Sequence, residues 1–153
     1  MTESTDDPIT GCIERWHRHL RGELDGGLDA LLHEDCVFVS PIVFTPQQGR
    51  EVTALYLTAA AGTLGGADVV GGAGQGGDTG PALTSGSPFH YVTEVLQGHH
   101  AVLEFESTVG DTWVNGVDMI TCDDDGMITE FKVMVRPLRA INLLHAQMRD
   151  MLE

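Results

Sequence analysis

Asp118 stands near the middle of Thr112–Cys122, TWVNGVDMITC, an apolar stretch with a single carboxylate. An ionised acid buried without a partner is costly, so such a residue must be paired, hydrogen-bonded or protonated. A working carboxylic acid is prepared in the same ways, by a setting that moves its pKa. The chemistry on offer is donation of a proton or a hydrogen bond to a substrate oxygen. The plain structural alternative is an acid at a wet rim, or one that accepts buried hydrogen bonds. A base would complete a proton-transfer site, and histidine is the commonest general base. His17, His90 and His145, on separate elements, are the auxiliary candidates; each also fits a surface or satisfied core position.

The elements that must position Asp118 are strands. Phe89–Gln97, His99–Val109, Thr112–Cys122 and Met127–Arg136 are strand-like runs, the last three joined by turns at Gly110–Asp111 and Asp123–Gly126. Such short turns make neighbouring strands antiparallel. Side chains alternate faces along a strand. Val114, Gly116, Asp118 and Ile120 therefore share a face, as do Leu103, Phe105 and Val109, and Phe131, Val133 and Val135. The opposite faces carry Glu104, Glu106, Glu130, Lys132, Met134 and Arg136. The apolar set is the inner face, and Asp118 lies with it. Arg136 is expected to pair with outer-face carboxylates such as Glu104 or Glu106.

Helices flank these strands. Asp6 or Asp7 can cap a first helix with Pro8 in its first turn, and Ile9, Cys12, Ile13, Trp16 and Leu20 form its apolar face. A short helix spans roughly Leu28–His33, and Cys36–Val39 is a β-prone run closed by Ser40–Pro41. A third helix runs from about Glu51 to Ala61, and a last one from Pro137 to about Leu152. Helices first and a meander of strands after them make an α+β fold.

A chain of 153 residues suits one domain, 1–153. Glycine fills ten of the 27 positions at 62–88, which reads as a flexible excursion or a lid. The net charge of −15, from 23 acidic and 8 basic residues, argues against nucleic acid and anionic membrane as partners. No apolar run approaches the ~20 residues of a membrane span. The N-terminal MTESTDDP has neither basic region nor apolar run, so no signal peptide is expected. Cys12, Cys36 and Cys122, odd in number and without metal spacing, read as reduced thiols of a cytoplasmic protein.

Two motif matches fail on context. GAGQGG at Gly72–Gly77 fits GxGxxG, but DTGPALTSGSP follows it and cannot open the helix a dinucleotide site needs. Asp123-Asp124-Asp125-Gly126 begins like a calcium loop, yet Met134 stands where the closing Glu belongs. His99 and His100, adjacent on a strand, point to opposite faces. No metal and no cofactor are called for.

The order of elements resembles the nuclear transport factor 2-like superfamily in its SnoaL-like branch, which includes ketosteroid isomerases, polyketide cyclases and limonene epoxide hydrolases. The strings that carry the likeness are LDALLHEDCVFVSP, QGRE opening a helix, VLEFES, and NGVDMITCDDDGMITEFKVMVRPL. The resemblance implies a cystatin-like cone: a curved antiparallel sheet packed on N-terminal helices, with a C-terminal helix and an apolar pocket. It also implies a homodimer through the outer sheet face. Ketosteroid isomerases carry an Asp base where this chain has Ser40, and an oxyanion-hole Tyr where it has Trp16; their second acid matches Asp118. The handling of a protonated Asp in an apolar site is well established for that isomerase. Limonene epoxide hydrolases carry an Arg where this chain has Gly116, and a second Asp near Lys132–Val133. SnoaL-type cyclases rely mainly on one Asp, a role Asp118 matches. The implied pocket is lined by Trp16, Ser40, Tyr56, Phe105, Val114, Ile120, Phe131, Val133 and Val135, with His17 and His90 as auxiliaries, and it takes an apolar cyclic or polyketide-like small molecule. The expectation is an acid-assisted isomerase or cyclase, or else a non-catalytic ligand-binding or dimeric interaction module.

Overall fold

The computed structural model describes residues 7–63, 89–109 and 111–152. Helix α1, Pro8–Leu20, starts with proline where a missing N–H costs nothing. Its buried residues Ile9, Cys12, Ile13 and Trp16 repeat at the helical period. Asp7 occupies the N-cap position but its side chain does not cap the helix. Instead its Oδ2 accepts the Gly98 N–H at 2.8 Å, while the Ile9 N–H donates to Gly98 O at 3.0 Å. The start of α1 is thus tied to the turn between two strands.

Helix α2 spans Gly27–Leu31 and passes directly into β1, Leu32–Val39. The strand starts four residues earlier than Cys36 because Leu32 pairs with Ile128, after which a register shift carries β1 to Val37 opposite Glu130. A two-residue strand β2, Gln47–Gln48, precedes α3, Arg50–Thr63. Strands β3 (His90–Gln97), β4 (His100–Val109), β5 (Thr112–Cys122) and β6 (Ile128–Arg136) form the meander, and α4 covers Leu138–Leu152. Residues 62–63 end α3; the rest of the 62–88 stretch, including GAGQGG, lies outside the described residues.

Among the described residues the six strands form an open, curved sheet in the order β2-β1-β6-β5-β4-β3. The sheet is mixed, which refines the antiparallel expectation. Strands β3 to β6 are antiparallel hairpin neighbours, but β1 lies parallel to β6. These two strands are far apart in the chain, so no hairpin turn dictates their direction. Burial alternates strictly along β5, with Thr112, Val114, Gly116, Asp118, Ile120 and Cys122 turned inward. On β4 the inward set is Ala101, Leu103, Phe105, Ser107 and Val109.

Helix α1 packs on β3, β4 and β5, α3 on β1, and α4 on β5, β6 and α3. Two apolar clusters result. One gathers Ile9, Cys12, Ile13, Trp16, Leu31, Phe38, Leu103, Ile120 and Phe131. The other gathers Phe105, Val109, Val114, Ala140 and Leu144. Tyr91 and Val133 pack against both, so they mark the seam between them. All three cysteines are free and buried. No helix among the described residues is long and apolar enough to cross a membrane.

Candidate active site

Asp118 sits at that seam. Its strand neighbours in register are Leu103 on β4 and Val133 on β6, both apolar, and only 5% of its surface is exposed. The Tyr91 hydroxyl donates to Asp118 Oδ2 at 2.5 Å. The Trp16 indole N–H in turn donates to the Tyr91 oxygen at 2.9 Å. The chain of donors runs from α1 through β3 to β5. Burial pushes the Asp118 carboxyl up to about 7, and the hydrogen bond from Tyr91 opposes that rise. Burial, and then the charge of Asp118, push the Tyr91 hydroxyl well above the usual phenol range. Tyr91 as a whole is half-buried on an edge strand, but its hydroxyl lies between two buried side chains, Trp16 and Asp118.

The sheet brings Tyr91 into range. Tyr91 pairs with Phe105, and Phe105 with Gly116, two residues along β5 from Asp118. A bulge between Tyr91 and Thr93 shifts the register. It lets Tyr91 and Leu96, of opposite parity on one strand, both reach the first cluster. The Tyr91 ring is also fixed by aromatic neighbours. Phe89 meets it edge-on at 5.1 Å between centroids and Phe105 at 6.4 Å, while Phe89 stacks on Phe105 at 4.9 Å.

Gly116 makes this packing feasible. A Cβ there would sit 2.6 Å from the Met134 carbonyl oxygen and would also strike the Phe105 ring. The arginine that epoxide hydrolases carry at this position therefore has no room. The position of their second acid, near Lys132–Val133, holds Val133 directly opposite Asp118.

The remaining residues expected at the site divide. Trp16, Ile120 and Phe131 belong to the first cluster, and Trp16 meets Phe131 edge-on at 5.0 Å. Phe105, Val114 and Val135 belong to the second or pack against it. Tyr56 stacks on Phe38 at 5.1 Å. Ser40 turns the loop after β1: its Oγ accepts the Ile42 N–H at 2.9 Å and the Val43 N–H at 3.2 Å. His17 packs its ring edge on Tyr91 at 5.6 Å, and its Nε2 lies 2.7 Å from Glu94. His90 pairs in register with Glu106 on the opposite side of the sheet, 3.8 Å from its carboxylate. His145 is exposed on α4. Among the described residues the hydrogen-bond partner of Asp118 is Tyr91, not a histidine. Arg136 reaches Glu104 only indirectly: it donates to Asn115 Oδ1 at 3.1 Å, and Asn115 donates to Glu104 at 3.0 Å. No group of three or more His, Cys, Asp or Glu side chains converges on a metal-sized site among the described residues.

Tyr91 is the residue that reading the strands did not single out. The signal was present in Phe89 and Tyr91 as alternate aromatics entering an edge strand. The bulge that aims Tyr91 at Asp118 has no sequence mark.

No family model matches the chain, and no curated protein does. Solved structures do. A steroid delta-isomerase from Pseudomonas aeruginosa is 30% identical, with a TM-score of 0.75 over 95% of this chain and 91% of that one. An uncharacterised protein with a cystatin-like fold from Silicibacter pomeroyi is 26% identical, with a TM-score of 0.69 over 91% and 83%. A protein of unknown function from Mesorhizobium loti, nuclear transport factor 2-like, shares the fold at 18% identity, with a TM-score of 0.58 over 90% and 96%. With the cone-forming sheet and the order of its elements, these place the chain in the nuclear transport factor 2-like, SnoaL-like superfamily.

Proposed function

We propose that the protein is a cofactor-independent, acid-assisted isomerase or cyclase acting on an apolar cyclic or polyketide-like small molecule. Asp118 is the acid in this reading. The observation that carries it is the buried Tyr91–Asp118 hydrogen bond between two apolar clusters. A carboxyl raised to about 7 is part protonated and part ionised near neutrality. The protonated form donates a hydrogen bond to a carbonyl oxygen and stabilises the negative charge that develops there as a base takes the α-carbon proton and returns it to the far end of the enolate. In this reading the apolar side chains around Asp118 hold a ring-shaped substrate away from water. The 30% identity to a steroid delta-isomerase supports an apolar ring ketone as the substrate class. A homodimer through the outer sheet face belongs to the same reading, supported by the apolar side chains there, Val95 at 56% and Met134 at 48% exposure.

The test is conversion of a β,γ-unsaturated steroid ketone to its conjugated isomer, followed by ultraviolet absorbance. Asp118→Asn is expected to lower turnover by roughly 100- to 1,000-fold with circular dichroism unchanged. Undiminished turnover in that variant rejects the assignment.

A second reading is a non-catalytic ligand-binding module. Ser40 favours it, because the hydroxyl at the isomerases' base position is occupied in turning its own loop. That reading predicts saturable binding of the same ketone without product.

A further inference from the structure

We infer that Trp16 is a positioning residue for this site: its indole N–H fills the acceptor side of the Tyr91 hydroxyl and commits that hydroxyl's single proton to Asp118. The inference rests on Asp118 being the site's acid, as proposed above, and adds the group that sets its direction.

A phenol oxygen has one proton to give and lone pairs to receive with. In isolation the Tyr91 proton could turn toward Asp118 or toward a bound ligand. The geometry removes that choice. Trp16 can only donate, since an indole N–H has no acceptor function. With that N–H 2.9 Å from the oxygen, the proton turns away from it, toward Asp118 Oδ2 at 2.5 Å. Donation into the oxygen also polarises the O–H and strengthens the outgoing bond. Trp16 is itself held, with 5% exposure and its ring against Phe131, so the direction is set by packed structure.

The consequence concerns what a ligand meets. Tyr91 has no free proton to offer, so the ligand's oxygen is met by the carboxyl group alone, through Oδ1. Tyr91 holds Oδ2, so Oδ1 is the carboxyl oxygen left to a ligand. A single-point acid of this kind takes a ketone when protonated and a hydroxyl when ionised.

The titratable groups facing Tyr91 are Asp118 from β5, Glu94 from its own strand, and His17 from α1; the last two are paired with each other at 2.7 Å. The experiment must separate them. Asp118 is followed by carbon-13 NMR of its carboxyl, and Trp16 by the nitrogen-15 shift of its indole N–H, with Trp113 as internal control. In the unaltered protein the Trp16 indole resonance is expected to shift with the Asp118 midpoint, and that step is expected to vanish in Asp118→Asn.

Tyr91→Phe should raise the Asp118 midpoint by about one pH unit, since it removes the bond that favours the ionised form. Trp16→Phe keeps the ring and removes the donor, and should raise it by about a third as much. In the double variant Trp16→Phe/Tyr91→Phe the midpoint should equal that of Tyr91→Phe alone. A Trp16→Phe shift that persists without Tyr91 shows a packing role and overturns the inference, as does no shift at all. If Trp16→Phe does not fold, the indole resonance in the unaltered protein still decides: no step coupled to Asp118 overturns it. None of these readouts needs turnover, so they succeed or fail separately from the proposed reaction.

Discussion

Asp118 and Asp123 are close neighbours in the chain, one inside β5 and one in the turn that ends it, and they are held in opposite ways. Asp118 is nearly closed off from water and receives one side-chain hydrogen bond, from Tyr91. The Asp123 Oδ1 receives two backbone N–H groups, those of Asp125 and Met127, each at 2.9 Å. The turn carboxylate satisfies the chain that surrounds it. The strand carboxylate is left in an apolar seam with its charge poorly compensated. Residue type is the same; what differs is whether the backbone can supply donors. In a turn the N–H groups are free to point at a side chain, whereas in a central strand they are committed to the sheet ladder. An acid on the inner face of such a strand must therefore find side-chain donors or keep its proton, and Asp118 does some of both.

The largest expected effect is on stability against pH. The folded chain holds the Asp118 proton up to about pH 7, whereas an ordinary aspartate carboxyl loses it near 3.8. The contribution of this group to stability is whole below the unfolded pKa and is lost as pH rises toward the folded one, on the order of 4 kcal/mol in all. Denaturant titrations of the parent and Asp118→Asn should show their stabilities diverging in that direction across this window. A constant difference would place Asp118 with the ordinary carboxylates. The same substitution should cost roughly 100- to 1,000-fold in turnover on an isomerisable ketone, the scale of one lost transition-state donor.

Gly116→Ala comes next. Its Cβ meets the Phe105 ring and the Met134 carbonyl, so it should destabilise by about 1–3 kcal/mol as overpacking. Because Phe105 abuts Tyr91, the Asp118 midpoint should move up with it. In the turn, Asp123→Ala removes two hydrogen-bond acceptances and should cost about 1 kcal/mol by thermal melting, without altering the Asp118 titration. The smallest effect belongs to Asp124, which is 92% exposed where it pairs with His99. Asp124→Ala should leave the melting midpoint unchanged within error, as exposed pairs usually do.

Much of the site's frame is legible in the sequence. The alternation along β4 and β5 is a matter of side-chain parity, and Val114, Asp118, Leu103 and Phe105 lie on the face that parity assigns. The α1 face from Ile9 to Trp16 follows from the helical period. The parallel pairing of β1 with β6 was not legible, because it joins distant segments with no turn between them. Nor was the part played by Tyr91. That depends on a bulge, which changes parity at one residue and leaves no periodic trace. Trp16 reads as packing from its spacing, and it does pack, but its indole N–H finds a partner only once β3 is in place.

Chemistry at this site depends on the Asp118–Tyr91 pair being a buried, weakly compensated acid. Carbon-13 NMR of aspartate-labelled protein, with the Asp118 carboxyl assigned through Asp118→Asn, measures this directly. The predicted midpoint is about 7. A midpoint near the ordinary aspartate value of 3.8 would mean that Asp118 is solvated or fully paired, and would contradict its role as a buried acid.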